Sequence, residues 1–336
     1  MTAIPATFRA YVAEKVQDAD GTARIERGVR EFAETDLPPG EVEIRVAWSS
    51  VNYKDGLATT VDGKVARVSP IIPGIDLAGE VVASSDPVFS PGQSVLAHGY
   101  DIGVARHGGY TEFQRIPVEW VVPLDRRLTA RDAMAIGTAG FTAAMSVVAL
   151  EDRGLKPSDG PVLVTGASGG VGGTALAILA DRGYEVWAAT GKPDEADRLQ
   201  GLGAAGILTR DEVTAAGKPL ESERWAGAVD AVGAATLPYV LRTLRTGAAV
   251  AASGNASGPK LDTTVFPFIL RGVALLGMDS VNQPIDRRRA IWDRLATDLR
   301  PRSLGDHVTE VTLDSLDDAL DAILAGEARG RWVVRV

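Results

Sequence analysis

Two regimes of hydrophobic patterning meet near Arg131. Before it, apolar residues fall in short runs of strand period broken by Pro and Gly, at Glu41–Trp48, Gly79–Ala83, Gln93–Ala97 and Gly109–Gln114. Such runs between turn formers predict a mainly-β domain. After it comes the helical run Ala133–Leu150, then apolar strands near 162, 185, 206, 228, 248 and 274 with helix-length segments between them. Strands joined by crossover helices predict an α/β domain with one doubly wound parallel sheet. Beyond Ser280 the pattern gives a helix over Asp286–Leu299, a strand at Val308–Thr312, a helix over Ser315–Ala325 and a last strand at Arg331–Val336. This tail reads as returning to the first domain. The expected division is therefore residues 1–135 with 281–336, and residues 136–280, with the active site in the cleft between them.

The strand–turn–helix unit at Val162-Leu-Val-Thr-Gly-Ala-Ser-Gly-Gly-Val-Gly172, closed by a second strand at Gly183-Tyr-Glu-Val-Trp-Ala-Ala-Thr190, predicts a dinucleotide site. Glycine there keeps the turn tight and lets backbone amides and the positive helix end approach a pyrophosphate. Gly166, Gly169, Gly170 and Gly172 are the glycines of this turn, and Ser168 adds a hydroxyl donor there. The same stretch also spells G-x-S-x-G, the nucleophile elbow of serine hydrolases, for which His307 is the one histidine left downstream. At the end of the second strand, NAD enzymes usually carry an acid for the ribose 2′-hydroxyl. Here the tip is Thr190-Gly191-Lys192, a hydroxyl and an ammonium that suit a 2′-phosphate, so NADPH is favoured. Asp194 and Glu195 lie close enough to oppose that preference.

A formal net charge of −9 over 336 residues argues against nucleic acid as a partner. With no cysteine and three scattered histidines, thiolate zinc sites, disulfides and cysteine nucleophiles are excluded and no metal site is expected. The first residues lack a basic and apolar leader pattern, and no apolar run is expected to reach bilayer length. A cytoplasmic protein without membrane contact is the expectation.

Four further stretches carry a resemblance: Ser49-Ser-Val-Asn-Tyr-Lys-Asp55, Ile72-Pro-Gly-Ile-Asp-Leu-Ala-Gly-Glu-Val81, Ile136-Gly-Thr-Ala-Gly-Phe-Thr-Ala143 and Leu276-Gly-Met-Asp-Ser-Val281. With the glycine turn, they resemble the medium-chain dehydrogenase/reductase superfamily over nearly the whole chain. The resemblance is to its zinc-free quinone-oxidoreductase branch and, within that, to the acryloyl-CoA reductases. Zinc-binding members carry Gly-His-Glu where this chain has Gly74-Ile-Asp76. The resemblance implies a GroES-like β domain flanking a Rossmann domain. It also implies cofactor contacts at Tyr53, Thr138, Ser168, Gly169, Gly170, Val171, Thr190, Gly191, Lys192, Arg210, Asn255, Ile269, Ser280 and Arg331, with a homodimer formed through the sheet edge at Ala274–Met278.

The implied reaction is NADPH-dependent reduction of an activated double bond, with acryloyl-CoA as the leading substrate and quinones or small enones as alternatives. A redox-inactive NADPH-binding sensor is the competing class. Asn52 is expected as a fixed amide donor to the enolate oxygen, and Tyr53 as a donor that orients nicotinamide or delivers a proton, with water as the alternative acid. Arg287, Arg288 and Arg289 open a helix whose dipole they oppose, which suggests a landing place for CoA phosphates at Arg288 and Arg289, or else a solvated surface or subunit salt bridges.

Overall fold

The computed structural model describes residues 4–336. Strands β1 (Thr7–Gln17) and β2 (Ala23–Ala33) form an antiparallel hairpin, followed by β3 (Val42–Ser50), α1 (Tyr53–Ala58), β4 (Asp76–Ser84), β5 (Ser94–His98), β6 (Phe113–Ile116) and β7 (Val121–Pro123). Next come α2 (Ala130–Asp152), β8 (Val162–Thr165), α3 (Gly170–Asp181), β9 (Val186–Thr190), α4 (Ala196–Gly201), β10 (Ala204–Thr209) and α5 (Arg210–Thr214). The chain continues through β11 (Gly227–Asp230), α6 (Thr236–Thr243), β12 (Ala249–Ala252), α7 (Phe266–Arg271), β13 (Ala274–Gly277), α8 (Ile285–Leu295), β14 (Val308–Thr312), α9 (Leu316–Leu324) and β15 (Arg331–Arg335).

Two compact units result. The first comprises the chain up to Thr138, with Val281–Ala296 and Gly305–Val336; the second comprises Ala139–Ser280 with Thr297–Leu304. In the first unit a seven-stranded sheet runs β14-β15-β3-β4-β5-β7, with β6 also paired to β3. Alternate residues of β3 (Val42, Ile44, Val46) turn inward against Leu77, Val81 and Val95, which is why its period of two was legible. The tail strand β15 pairs antiparallel with β3.

The hairpin β1–β2 was missed by the sequence reading. Charges at Arg24, Glu26, Arg27, Arg30 and Glu31 mask the apolar set of β2, and only tertiary contact rescues it: Phe8, Tyr11 and Phe32 bury against Leu316 and Leu320 of α9.

In the second unit six strands are all parallel in the order β10-β9-β8-β11-β12-β13, with Val162 opposite Val186 and Gly227. This is the doubly wound order, and it puts the carboxyl ends of β8 and β11 side by side at the switch point where ligands bind.

One expectation is corrected here. No charge interrupts Ala133 to Leu150, and α2, at 23 residues, is long and apolar enough to cross a membrane by length and composition. Of its most apolar stretch 83% is buried within the protein, and the helix is broken at Gly137 (φ 52°, ψ −163°), so α2 is a core element.

Candidate functional site

The break in α2 sets up a polar network inside the first unit. Because Gly137 leaves the helical region, the Thr138 amide cannot reach the carbonyl of Met134 four residues back. Both orphaned groups find side chains. The Thr138 amide donates to Asp76 (3.1 Å to each carboxylate oxygen), and Arg331 donates from Nη2 to the Met134 carbonyl (3.4 Å) and from Nε to that of Ala135 (2.9 Å). Only glycine fits at the break: besides its positive φ, a Cβ there would lie 2.6 Å from Asp76 Oδ2 and 2.7 Å from Arg331 Nη2.

Asp76, fully buried at the start of β4, gathers further donors. Its Oδ2 accepts from Ser50 Oγ (2.5 Å) and Asn52 Nδ2 (2.9 Å), and its Oδ1 from Thr138 Oγ1 (2.5 Å). A buried carboxylate is tolerated when it is hydrogen-bonded in this way. Asn52 is used up by the same network. Its amide faces Asp76, Ser50 (3.1 Å) and Asp55 (3.2 Å), while its Oδ1 accepts from Arg331 Nη1 (3.3 Å). An amide nitrogen has two protons, so the expected donation from Asn52 to a substrate oxygen is corrected: Asn52 positions the start of α1. Thr138 and Arg331, expected at the cofactor, likewise have their polar atoms committed here.

Beside this network His98, at the end of β5, is buried among Thr138, Arg288 and Trp292. Trp292 Nε1 donates to His98 Nε2 (2.8 Å), which assigns the ring proton to Nδ1, 3.2 Å from Thr138 Oγ1. Burial, and then the Arg288 charge, hold the imidazole well below its ordinary pKa, so it is neutral. Arg288 itself is fully buried. Its Nη1 lies 2.9 and 3.0 Å from the two His98 nitrogens, its Nη2 donates to the Val281 carbonyl (3.0 Å), and its guanidinium stacks 4.5 Å from the Tyr100 ring centroid. Arg289 is half-buried, with Nη2 on the Val121 carbonyl (3.2 Å). The expectation that CoA phosphates are received here is therefore corrected for Arg288, whose side chain is buried inside the unit.

Tyr53 opens α1 with a ring that is 49% exposed, and among the described residues its hydroxyl has no hydrogen bond. Two residues on, Asp55 is fully buried and accepts from the backbone amides of Asn52 (2.9 Å), Gly74 (3.2 Å) and Ile75 (2.8 Å). Burial first, and then the charge of Asp76, push its carboxyl up to about 7 against the pull of those donors. From roughly pH 4 to pH 7 the folded chain keeps this proton while the unfolded chain releases it. The contribution of Asp55 to stability accordingly falls as pH rises across that window, by on the order of 4 kcal/mol. His98 and His107, both depressed by burial, act in the opposite sense below about pH 6.5. The check is the difference between wild type and Asp55→Asn in urea unfolding at pH 5 and pH 7.5. Wild type should lose more stability over that interval, and equal losses would remove Asp55 as the titrating group.

In the second unit β8 delivers the chain into the glycine turn and α3 leaves it. A Cβ at Gly172 would strike the Gly166 carbonyl and Ala167 Cα, so the helix packs onto the turn only because residue 172 has no side chain. The end of α3 at Gly170 therefore presents free amides beside Ser168, Gly169 and Val171. Ser168 is buried and its Oγ accepts from Thr190 Oγ1 (3.1 Å), while the Thr190 hydroxyl also takes the Lys192 amide (3.0 Å). The second unit contains no histidine, so Ser168 has no histidine base within its unit. Arg210, exposed and without an ion-pair partner among the described residues, lies so close over Gly191 that a Cβ there would collide with its guanidinium. Glu195 is buried and paired with Arg198 (2.5 Å), whose Nη2 holds the Ser168 carbonyl (3.0 Å). Of the two acids that oppose a 2′-phosphate, Glu195 is thus neutralised and turned into a brace for the loop.

Arg198 was not singled out from sequence. Nor was Asp230, at the end of β11, which accepts from Thr165 Oγ1 (2.7 Å) and the Gly233 amide (2.9 Å), and whose carboxyl burial pushes up. Among the later positions, Asn255 is exposed in the loop after β12 and Ser280 lies just beyond β13. Ile269 lies on helix α7, which follows β12, and is 68% exposed.

The alcohol dehydrogenase GroES-like domain family matches residues 38–126. The acrylyl-CoA reductase AcuI of Ruegeria pomeroyi is 50% identical over 330 residues, covering 98% of this chain and 99% of its own. The putative quinone oxidoreductase YhfP of Bacillus subtilis is 46% identical over 331 residues, covering 98% and 99%, and its crystal structure with NAD bound superposes at a TM-score of 0.94 over 99% of this chain and 100% of that one. The YhdH oxidoreductase of Salmonella enterica, solved in complex with NADP, has a TM-score of 0.93 at 47% identity, covering 98% and 99%.

Proposed function

This chain belongs to the medium-chain dehydrogenase/reductase superfamily, in the group of the acrylyl-CoA reductases and quinone oxidoreductases, and from that membership we propose that it reduces the double bond of acryloyl-CoA to give propanoyl-CoA with NADPH. The observation that carries the cofactor choice is the strand tip of the second unit, where Arg210 lies over Gly191 between Thr190 and Lys192 and the buried Glu195 is paired with Arg198. A 2′-phosphate is favoured by cationic side chains at that tip. The amides heading α3, with Ser168, suit the pyrophosphate.

When bound, NADPH supplies a hydride to the β carbon of the enoyl thioester. What remains for the protein is to orient the thioester and to provide a proton for the α carbon. Tyr53 is the group in the Asn52–Asp55 segment whose hydroxyl is uncommitted, and the Asp76–Asn52–Asp55 network fixes the helix end on which it stands. Tyr53→Phe should lower kcat about 10-fold or more while leaving NADPH affinity unchanged. Unchanged turnover in stopped-flow or steady-state assays would assign the proton to water.

The deciding assay is loss of NADPH absorbance with acryloyl-CoA, beside NADH and beside a simple quinone. Oxidation with acryloyl-CoA alone supports this reading. Oxidation with quinone alone supports the second reading, which the resemblance to YhfP favours, and NADPH binding without turnover supports a sensor.

We also propose a cytoplasmic homodimer. Leu275 on the edge strand β13, with Val265, Phe266, Ile269 and Leu270 on and beside α7, leaves an exposed apolar face on the second unit that a second copy would cover. Light scattering tests it.

A further inference from the structure

With Arg288 buried inside the first unit, the nucleotide end of a CoA thioester needs another seat, and the segment between α1 and β4 offers one. A cavity of about 350 Å³ opens there between β1, the end of α1 and the loop that follows. Its lining includes three exposed cations, Lys15, Lys64 and Arg67, around apolar walls that include Val61, Val68 and Ile71, and no carboxylate lines it. In a chain with a net charge of −9 that is a marked local reversal. Lys15 and Lys64 have no ion-pair partner among the described residues; Arg67 pairs with Asp101 at 3.3 Å across a solvent-exposed gap, a weak contact.

Two further observations point to a ligand. Lys64 sits at φ 52°, in the left-handed region that costs a lysine energy. Val61 and Val68 are 39% and 40% exposed, so apolar area is left open to water beside the cations. An adenine ring needs such a wall, and phosphates need such a rim.

We propose that this cavity binds the 3′-phosphoadenosine diphosphate end of the CoA thioester, an inference that rests on the acryloyl-CoA reading. The geometry suits a shared substrate. Tyr53 and Ala58, the latter lining the cavity, are the two ends of α1, about 8 Å apart at about 1.5 Å per residue. A pantetheine arm is longer than that when extended, so with the arm folded a thioester at Tyr53 can keep its nucleotide in the cavity.

The test compares acryloyl-CoA with acryloyl-pantetheine, which lacks the nucleotide, in wild type, Lys64→Gly and the Lys15→Ala/Arg67→Ala pair. All three side chains are exposed, and Lys64→Gly relieves the backbone, so folding is kept; thermal melts verify it. KM for acryloyl-CoA should rise ~10-fold or more, with kcat and the KM for acryloyl-pantetheine unchanged. Titration with adenosine 3′,5′-bisphosphate by calorimetry should show binding that is lost in these variants, whereas adenosine 2′,5′-bisphosphate binding should survive them and be lost in Arg210→Ala. If wild type reduces acryloyl-CoA and the variants keep its KM, the cavity proposal is overturned while the reductase reading stands. If wild type does not reduce acryloyl-CoA, the reductase reading fails by itself, and the 3′,5′-bisphosphate titration still decides the cavity.

Discussion

Asp76→Ala should be the most damaging single substitution in the first unit, lowering stability by about 3–5 kcal/mol and abolishing turnover. Four donors lose their acceptor at once: the Ser50 hydroxyl, the Asn52 amide, and the Thr138 amide and hydroxyl. None of these groups is well placed to recover water, because Ser50 and Asp76 are fully buried and Asn52 nearly so. Arg331 is left as a cation whose nearest opposing charge has gone, in surroundings that already pull its pKa down through burial. For a chain of this size the loss corresponds to a fall in melting temperature on the order of 10 °C. Asp76→Asn keeps one acceptor oxygen but turns an NH₂ toward donors, so it should fall between wild type and alanine. Calorimetry and urea titration at pH 7 measure the series. A melting temperature within a degree or two of wild type for Asp76→Ala would show that the helix break is held by packing alone.

The same cluster explains which parts of the molecule sequence could reveal. The glycine turn was legible because its chemistry is local: Val162 to Gly172 contains the strand, the close approach at Gly172 and the helix head within one short stretch. The parallel strands were legible because burial on both faces makes their bodies apolar, as at Val162-Leu-Val164 and Gly227-Ala-Val229. The network around Asp76 was not. Its members come from β3, β4, the break in α2 and β15, and residues such as Asp76 and Arg331, 255 positions apart, carry no mutual signal in one sequence.

Arg288 shows the opposite error. Three arginines at a helix start suggest an anion site, yet the period of the helix turns the middle one into the core, where His98, Tyr100 and the Val281 carbonyl receive it. A hint was available, since Arg288, Ile291, Trp292 and Leu295 share one helical face at spacings of three and four. Gly137 could likewise have been flagged as a glycine inside a long helical pattern, where it costs stability unless the backbone must break.

The strand tip of the second unit should decide cofactor choice, and its removal should be the largest binding effect in the protein. In Lys192→Ala/Arg210→Ala the affinity for NADPH is expected to fall about 100-fold or more, since each charge-assisted contact to a phosphate is worth roughly 1.5–3 kcal/mol. The affinity for NADH should change less than about 3-fold, because the pyrophosphate end, with Ser168 and the amides of α3, is untouched. The single variants should separate two kinds of contribution. Arg210 is an exposed cation laid over Gly191, so Arg210→Ala removes charge without disturbing packing. Arg198→Ala, by contrast, removes the brace between the buried Glu195 and the Ser168 carbonyl, and should weaken both nucleotides together. Equal losses of NADPH and NADH in Lys192→Ala/Arg210→Ala would mean that these side chains only support the loop. An unchanged dissociation constant for NADPH, measured by fluorescence titration, would place the 2′-phosphate elsewhere. Because YhfP has been solved with NAD and YhdH with NADP at nearly the same similarity to this chain, the overall fold leaves the choice open, and charge at this one strand tip is what remains to make it.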